Sequence, residues 1–501
     1  MYGGPMSLEG VVATNRFGLG AKPGEISQAS NDPKGWLLNQ LSEHVDEPRF
    51  DGLPTGADLT IDLVKRNQMR AQVRQQGGPQ QLKGGGPQQQ GAPQLDPQAV
   101  KEFLMQARQT YLKEIAARFL NGFETDHPFR ERLVRFWSNH FVVSIQKPQT
   151  AMFVGAFERE AIRPHVTGKF ADMVLAVERH PAMLLYLDNA QSIGPDSLAG
   201  KMVGKGLNEN LAREIMELHT LGVDGGYTQN DVIQLARLLT GWSLDRPGGA
   251  NAGLRPNGPI RRLLGVTPVS ADAADAINGF RFYPPRHEPG TKTLLGKTYA
   301  EGYEGGVKAL TDLAHHPATA RHVATKLATH FVADDPPADS IKRIETAFLD
   351  SGGDLKVVSA AIVNDPAAWA PKQTKVRTPV EYVTAAIRIA GGSRIAALDE
   401  KSVGPIIQGV RAMGEAPFSA PSPKGWPDTA EDWTGSDAVL ERVQWANAAS
   451  QRLTMTADPV QVADAALGPF LTEDTRTAIS RAASPAQGLA LLFASPEFQR
   501  R

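Results

Sequence analysis

Residues able to do chemistry are densest between Gly206 and Gly222, where the chain reads Gly-Leu-Asn-Glu-Asn-Leu-Ala-Arg-Glu-Ile-Met-Glu-Leu-His-Thr-Leu-Gly. Leu211, Ile215, Leu218 and Leu221 recur at the spacing of a helix with one buried face. Charged groups on a core-facing helix must pair with each other, with a ligand or with a metal, because an unpaired buried charge is costly. Glu214 and Glu217 are candidate acid–base carboxylates, His140 and His219 candidate catalytic histidines, and Asn208, Asn210 and Arg213 candidate binding residues. Successive helical residues turn by about 100°, so Asn210, Arg213, Glu214 and Glu217 share a face while His219 points away from Glu217. The pattern is therefore no His-Glu-x-x-His zinc motif, and a divalent metal would need a histidine from another element. A structural reading competes: Glu209–Arg213 and Arg213–Glu217 are both spaced for i,i+4 salt bridges. Spacing alone leaves both readings open.

His140 sits in the aromatic run Phe136-Trp-Ser-Asn-His-Phe141, where a hydrogen-bonded core histidine is the plainer reading. His287 and Lys292 lie in an irregular stretch and are candidates for ligand contact, with Trp242 as an apolar wall; a turn with a solvated histidine is the alternative. His180 and His316 each precede a proline at a helix start, which marks a structural N-terminus. The glycines of Gly302-Tyr-Glu-Gly-Gly306 and Gly18-Leu-Gly20 lack the strand and the Lys-Ser/Thr of a phosphate loop. A Gly-x-Ser-x-Gly nucleophile elbow is also missing from the sequence.

The elements that must position these residues are helical. From Pro97 onward apolar residues recur at three and four positions, predicting a large all-α body. Two long irregular loops interrupt it: a lid-like excursion over 242–304, with short strands near 280–283 and 292–295 that suggest a β-hairpin, and the loop 414–435, with four prolines and two tryptophans. Trp426 and Trp433 are the aromatics that could anchor a partner there. Residues 74–96 are dominated by Gly, Gln and Pro and predict a disordered linker between an N-terminal helical segment (1–73), packed on the body, and the main domain (97–501).

Among 501 residues, 53 basic and 54 acidic side chains leave a net charge of -1, which argues against nucleic acid as the main partner. The chain holds no cysteine, so disulfides, thiolate metal sites and cysteine nucleophiles are excluded. No apolar run approaches the roughly 20 residues of a membrane span. The first residues lack a basic and an apolar signal region, so a cytoplasmic protein is expected, with export on a partner as the alternative.

The 206–222 segment continues into Val-Asp-Gly-Gly-Tyr-Thr-Gln229, Asp231 and Leu235-Ala-Arg-Leu-Leu-Thr-Gly-Trp242. With Arg16-Phe-Gly-Leu-Gly-Ala21, Phe136-Trp-Ser-Asn-His-Phe141, His180-Pro-Ala-Met183, His287-Glu-Pro-Gly-Thr-Lys292, His316-Pro-Ala-Thr-Ala320, Lys326-Leu327 and Gly425-Trp-Pro-Asp428, it resembles the bacterial domain of unknown function 1800 family over nearly the whole chain. The resemblance implies no settled activity. It does imply a neighbour, since genes of that family often sit beside those of a secreted-type family related to sulfatases and alkaline phosphatases. Two readings follow. One is an enzyme with a carboxylate and histidine site, with metal-assisted hydrolysis of a polymer or its decoration as the reaction. The other is a non-catalytic helical binding or assembly protein that partners a sulfatase-like protein.

Overall fold

Helix starts obey local capping chemistry, which is why so many were readable. Thr228 and Asp231 form a reciprocal capping box at the head of Gln229–Leu239. His180 and His316 each accept a backbone N–H through Nδ1, from Ala182 and Ala318 at 3.1 Å, with a proline at the first helical position. The computed structural model describes residues 6–42, 45–76, 97–203, 206–245, 278–391, 398–453 and 458–501. Expectations for 77–96 and for 246–277 lie outside the described residues; Arg74–Gln76 form the last turn of the helix Gly56–Gln76.

The fold is all-α. Its main apolar core joins Phe129, Leu133 and Trp137 of Pro128–His140 to Phe170, Leu235, Trp242, Leu327 and Phe331. A second core packs Phe119 and Phe123 of Pro97–Glu124 on Tyr382 and Val383 of Pro379–Gly391 and on Phe493 of Pro485–Ala494. The N-terminal stretch enters the main core: the Phe17 ring lies 5.8 Å from Phe129, 6.0 Å from Phe331 and 5.2 Å from Trp369. Among the described residues no helix is long and apolar enough to cross a membrane.

Strand pairing departs from the expected hairpin. Phe280–Phe282 pairs antiparallel with Trp242–Leu244, and Lys292–Leu294 pairs with Lys297–Tyr299 through the turn at Leu295-Gly296. The excursion is thus pinned at its base by the strand it leaves from. Pro128–His140 is followed by a stretch that bonds the 414–435 loop: Ile145 N donates to Phe418 O at 2.8 Å.

Gly20 shows why small residues are needed where the N-terminal segment meets the body. Its φ is 91°, and a Cβ there would lie 2.5 Å from the Ala385 Cβ. Arg388 Nε donates to the Gly20 carbonyl at 2.7 Å, so the backbone cannot retreat without breaking a buried bond. Gly20→Ala is expected to destabilise the protein by about 2–4 kcal/mol, from left-handed strain plus overpacking. The urea midpoint measures it, and an unchanged midpoint would show that this contact is soft.

Candidate active site

The signature segment is a short α-helix, Asn210–Glu214, that widens into a π turn, Ile215–His219. Thr220 Oγ1 donates to Ile215 O at 2.6 Å and Gly222 N to Met216 O at 3.2 Å, closing the widened turn. The regular 100° step therefore ends at Glu214. Leu211, Ile215, Met216, His219 and Leu221 are buried, whereas Leu218 is only half-buried. Single π turns inside helices recur at functional sites.

The candidate residues separate into groups. Asn208 Oδ1 accepts the Asn210 N–H at 2.9 Å, so the first asparagine shapes the start of the helix while Asn210 itself is exposed. Arg213 lies at the surface, 40% exposed, bonded to Glu209 (34% exposed) and to Gln229, each at 3.0 Å. Arg213→Leu is accordingly expected to cost about 0.2–1 kcal/mol, read from the urea midpoint; several kcal/mol would place the pair in a dry interior. Glu214 is half-buried, and burial raises its pKa. His219 is fully buried, its Nδ1 2.8 Å from Glu178 Oε1, which ties the signature segment to Phe170–Arg179.

His287, Lys292 and Trp242 lie elsewhere. His287 Nδ1 donates to Thr240 O at 2.8 Å and its Nε2 accepts from Gly302 N at 3.0 Å, so both ring nitrogens are consumed. Burial lowers its pKa, keeping the ring neutral as this pattern requires. Lys292 Nζ donates to the carbonyls of Glu288 and, at 2.7 Å, Gly290, closing the turn that carries His287. Trp242 packs on Phe280 and Tyr303 in the core. The structure does not bring these three to His140 and Glu217.

His140 and Glu217 do meet, in a cavity of about 700 Å³. This volume suits a small-molecule site. Its walls come from Pro128–His140, the end of the signature segment, His322 to His330 of Pro317–Phe331, the start of Pro379–Gly391, and the loop 414–435. Among the described residues the 278–304 part of the excursion contributes nothing to the lining; the cover is the Pro/Trp loop. That loop is held in place by long-range bonds. Asn139 Nδ2 donates to Trp426 O at 2.9 Å and its Oδ1 accepts from Trp426 N at 2.8 Å, while Ser144 Oγ donates to Ala420 O at 2.8 Å. Trp433 is buried, its Nε1 donating to Pro427 O at 3.0 Å, and Trp426 is half-buried on the cavity wall, so neither stands out as the expected docking anchor.

The π turn places two successive carbonyls toward the cavity histidines. His322 Nε2 donates to Leu218 O and His140 Nε2 to His219 O, both at 3.1 Å. A carbonyl can only accept, so both rings carry their proton on Nε2 and keep a lone pair on Nδ1. His140 Nδ1 is buried without a partner among the described residues. Burial, with the Lys326 charge, lowers His322 to about 4 and holds His140 well below the usual histidine range. Both imidazoles are neutral bases at physiological pH.

Lys326 is set one turn beyond His322 on the same helix face. Burial lowers its ammonium to about 8, with Asp428 opposing and Lys424 adding to the effect. Glu415 is raised to about 7 by burial and by Glu381, although it accepts from Val380 N at 2.8 Å. Asp428 is held ionised at about 2: burial works against this, and His330, Lys375 and Arg501 outweigh it. Arg132 and Arg501 pair with Glu381 in the same way. The cavity thus combines a fixed ion-pair floor with two neutral imidazoles and two groups, Lys326 and Glu415, brought toward neutral pH.

His322, Lys326, Glu415 and Glu178 were missed as candidates from the residue pattern. His322 and Lys326 look like ordinary polar positions flanking the apolar stripe Val323, Ala324, Leu327 and Phe331, although Lys326 belongs to one of the shared motifs. Glu415, in an irregular loop, carries no periodic signal. Among the described residues no three His, Asp or Glu side chains are grouped to hold a metal ion.

An all-α body enclosing a cavity lined by titratable and apolar side chains beneath a Pro/Trp loop is the class of molecule that fold and site define. The chain belongs to the family described as protein of unknown function (DUF1800), whose pattern matches residues 12–500. Comparison with curated proteins and with solved structures gave no match.

Proposed function

We propose that the cavity beneath residues 414–435 is the active site of an enzyme that acts on a small polar substrate, or a polar end of a larger one, by acid–base catalysis. The observation that carries this is the meeting of His140, His322, Lys326 and Glu415 around one cavity, each with its pKa moved from the ordinary value by burial. Displaced groups facing a cavity are what acid–base chemistry needs. In this reading Glu415 is the general acid, a neutral imidazole the general base, and Glu217 a polar contact for the substrate. Hydrolysis of an ester, amide or glycoside of a polymer or its decoration fits such a pair without a metal step. A turnover screen over chromogenic esters, amides, glycosides and phosphoesters tests it. His322→Ala and Glu415→Gln should each lose most of any activity found, and Arg213→Leu should keep it. Activity indifferent to His322 and Glu415 would remove the cavity from the reaction.

One observation favours the assembly reading as an alternative. Val439, Leu440 and Val443 are 44%, 55% and 43% exposed along one side of Ser436–Arg452, directly after the cavity loop. A sulfatase-like partner would dock there. Leu440→Asp should then abolish co-purification of the two proteins and leave the fold intact.

A further inference from the structure

Lys326 differs from the arginines around the cavity, and from Lys424, which also lines it but is exposed to solvent. Arg118 is tied to Glu158 at 2.7 Å, Arg132 to Glu381, and Arg135 to Thr384 at 3.1 Å. The Lys326 ammonium makes no hydrogen bond or ion pair with any described residue, although it is half-buried in the cavity wall. Its neighbours are His322, one turn away, and His140, whose ring centre is 6.1 Å from that of His322. Both imidazoles spend their only N–H on backbone carbonyls, so neither can donate to the lysine, and neither bears a positive charge. Phe136, Phe418 and Trp426 complete the lining on the apolar side. An amine that is half-buried, uncommitted and flanked by neutral bases is built as a nucleophile rather than as a structural charge.

We propose that Lys326 forms an imine with a small aldehyde or ketone bound in this cavity. This rests on, and deepens, the reading of the cavity as an active site. The Nζ lone pair attacks the carbonyl carbon, a C–N bond forms, and the C=O π pair becomes an alkoxide. A proton passes from nitrogen to that oxygen through a neutral imidazole, giving the carbinolamine. A second proton, supplied by the protonated carboxyl of Glu415, lets the hydroxyl leave as water while the nitrogen lone pair forms C=N. The nitrogen's last proton then returns to the carboxylate. One amine and one carbonyl compound become one imine and one water, with no change of oxidation state. Burial that keeps the lysine near 8 leaves roughly a tenth of it as free amine at pH 7, far more than an exposed lysine offers.

The test is trapping. The full chain is incubated with glyoxylate and cyanoborohydride at pH 8, and each lysine's modification is quantified by peptide mass spectrometry. Histidine ring signals are followed by NMR in parallel without reductant. Lys326 should be modified about tenfold faster than exposed lysines such as Lys308 and Lys342, whose side chains are 68% and 65% exposed. His322→Gln should slow the modification of Lys326 while leaving the surface lysines unchanged. Labelling of Lys326 no faster than the surface lysines overturns the imine. If glyoxylate then still shifts the His140 and His322 signals, the cavity survives as a binding site while its lysine chemistry does not. If those signals are also silent, the imine is equally overturned, and the acid–base reading stands or falls on its own turnover screen.

Discussion

Arg163→Leu is expected to destabilise the protein by about 3–5 kcal/mol, because it leaves buried carboxylates without their shared counter-charge. Arg163 Nη1 lies 2.6 Å from Glu47 Oε1 and 2.7 Å from Glu131 Oε2, and Nη2 lies 2.9 Å from Glu158 Oε1. Its guanidinium also stacks 4.3 Å from the Phe50 ring centre. Glu131 and Glu158 are each only 2% exposed, so water cannot replace the lost partner. Arg118 and Ser138 remain on Glu158, and Asn121 on Glu131, which keeps the loss below that of a fully stranded pair. The sign with pH follows from Glu158. Burial would raise its pKa, but Arg118 and Arg163 outweigh that and hold it at about 2. Its contribution is therefore complete above the ordinary carboxylate pKa of about 4.5 and disappears as pH falls through about 2. The deficit of the variant should be full at pH 7 and should narrow as pH drops below about 4.5. Urea midpoints at pH 7 and pH 3.5 measure it; a deficit independent of pH would mean that packing against Phe50 dominates instead.

Lys326→Met is expected to move stability and activity in opposite directions. At pH 7 the folded protein carries a partly desolvated ammonium without an ion-pair partner among the described residues, and the unfolded chain carries a solvated one. Methionine keeps the stem and removes that burden, for a gain of about 1–3 kcal/mol after allowing for water in the cavity. Between about 8 and 10.5 the folded state binds fewer protons than the unfolded one, so wild-type stability rises with pH there. The gain from methionine should shrink through that window and vanish above it. Turnover at this site should fall by about 10²–10⁴-fold, the range for removing a group that works in the reaction. Stability bought at a reacting position in this way is a common signature of a functional residue. A variant that is less stable at pH 7 would show that Lys326 is a structural ion.

Much of the helical scaffold was legible because its signals are local. Thr228 and Asp231 announce a helix start, His180-Pro181 and His316-Pro317 announce two more, and Leu235, Leu238 and Leu239 keep a buried face. Of the candidate catalytic and binding residues read from the sequence, His140 and Glu217 are the two that line the candidate cavity. The π turn depends on Thr220 and on carbonyl acceptors for two distant histidines, so a helical wheel drawn from Asn210 places Leu218 in the core and misjudges the region of Glu217. His287 and Lys292 resemble ligand-binding residues in sequence, yet their polar atoms are spent on Thr240, Gly302 and Gly290. The two irregular loops look alike as strings of Gly, Pro and aromatic residues. What distinguishes them is the pair of bonds between Asn139 and Trp426, 287 positions apart, which no local pattern encodes.

The most direct measurement is a thermal-shift screen of small polar compounds, including carboxylates, sugars, aldehydes and phosphates, run in parallel on wild type, Lys326→Met and His322→Ala. A ligand that binds only the folded state raises the melting temperature in proportion to the logarithm of its excess over Kd. If the cavity is the site, compounds that stabilise the wild type should lose that effect in both variants and keep it in Arg213→Leu. Compounds that stabilise wild type, Lys326→Met and His322→Ala equally would place the ligand elsewhere on the molecule and contradict the account.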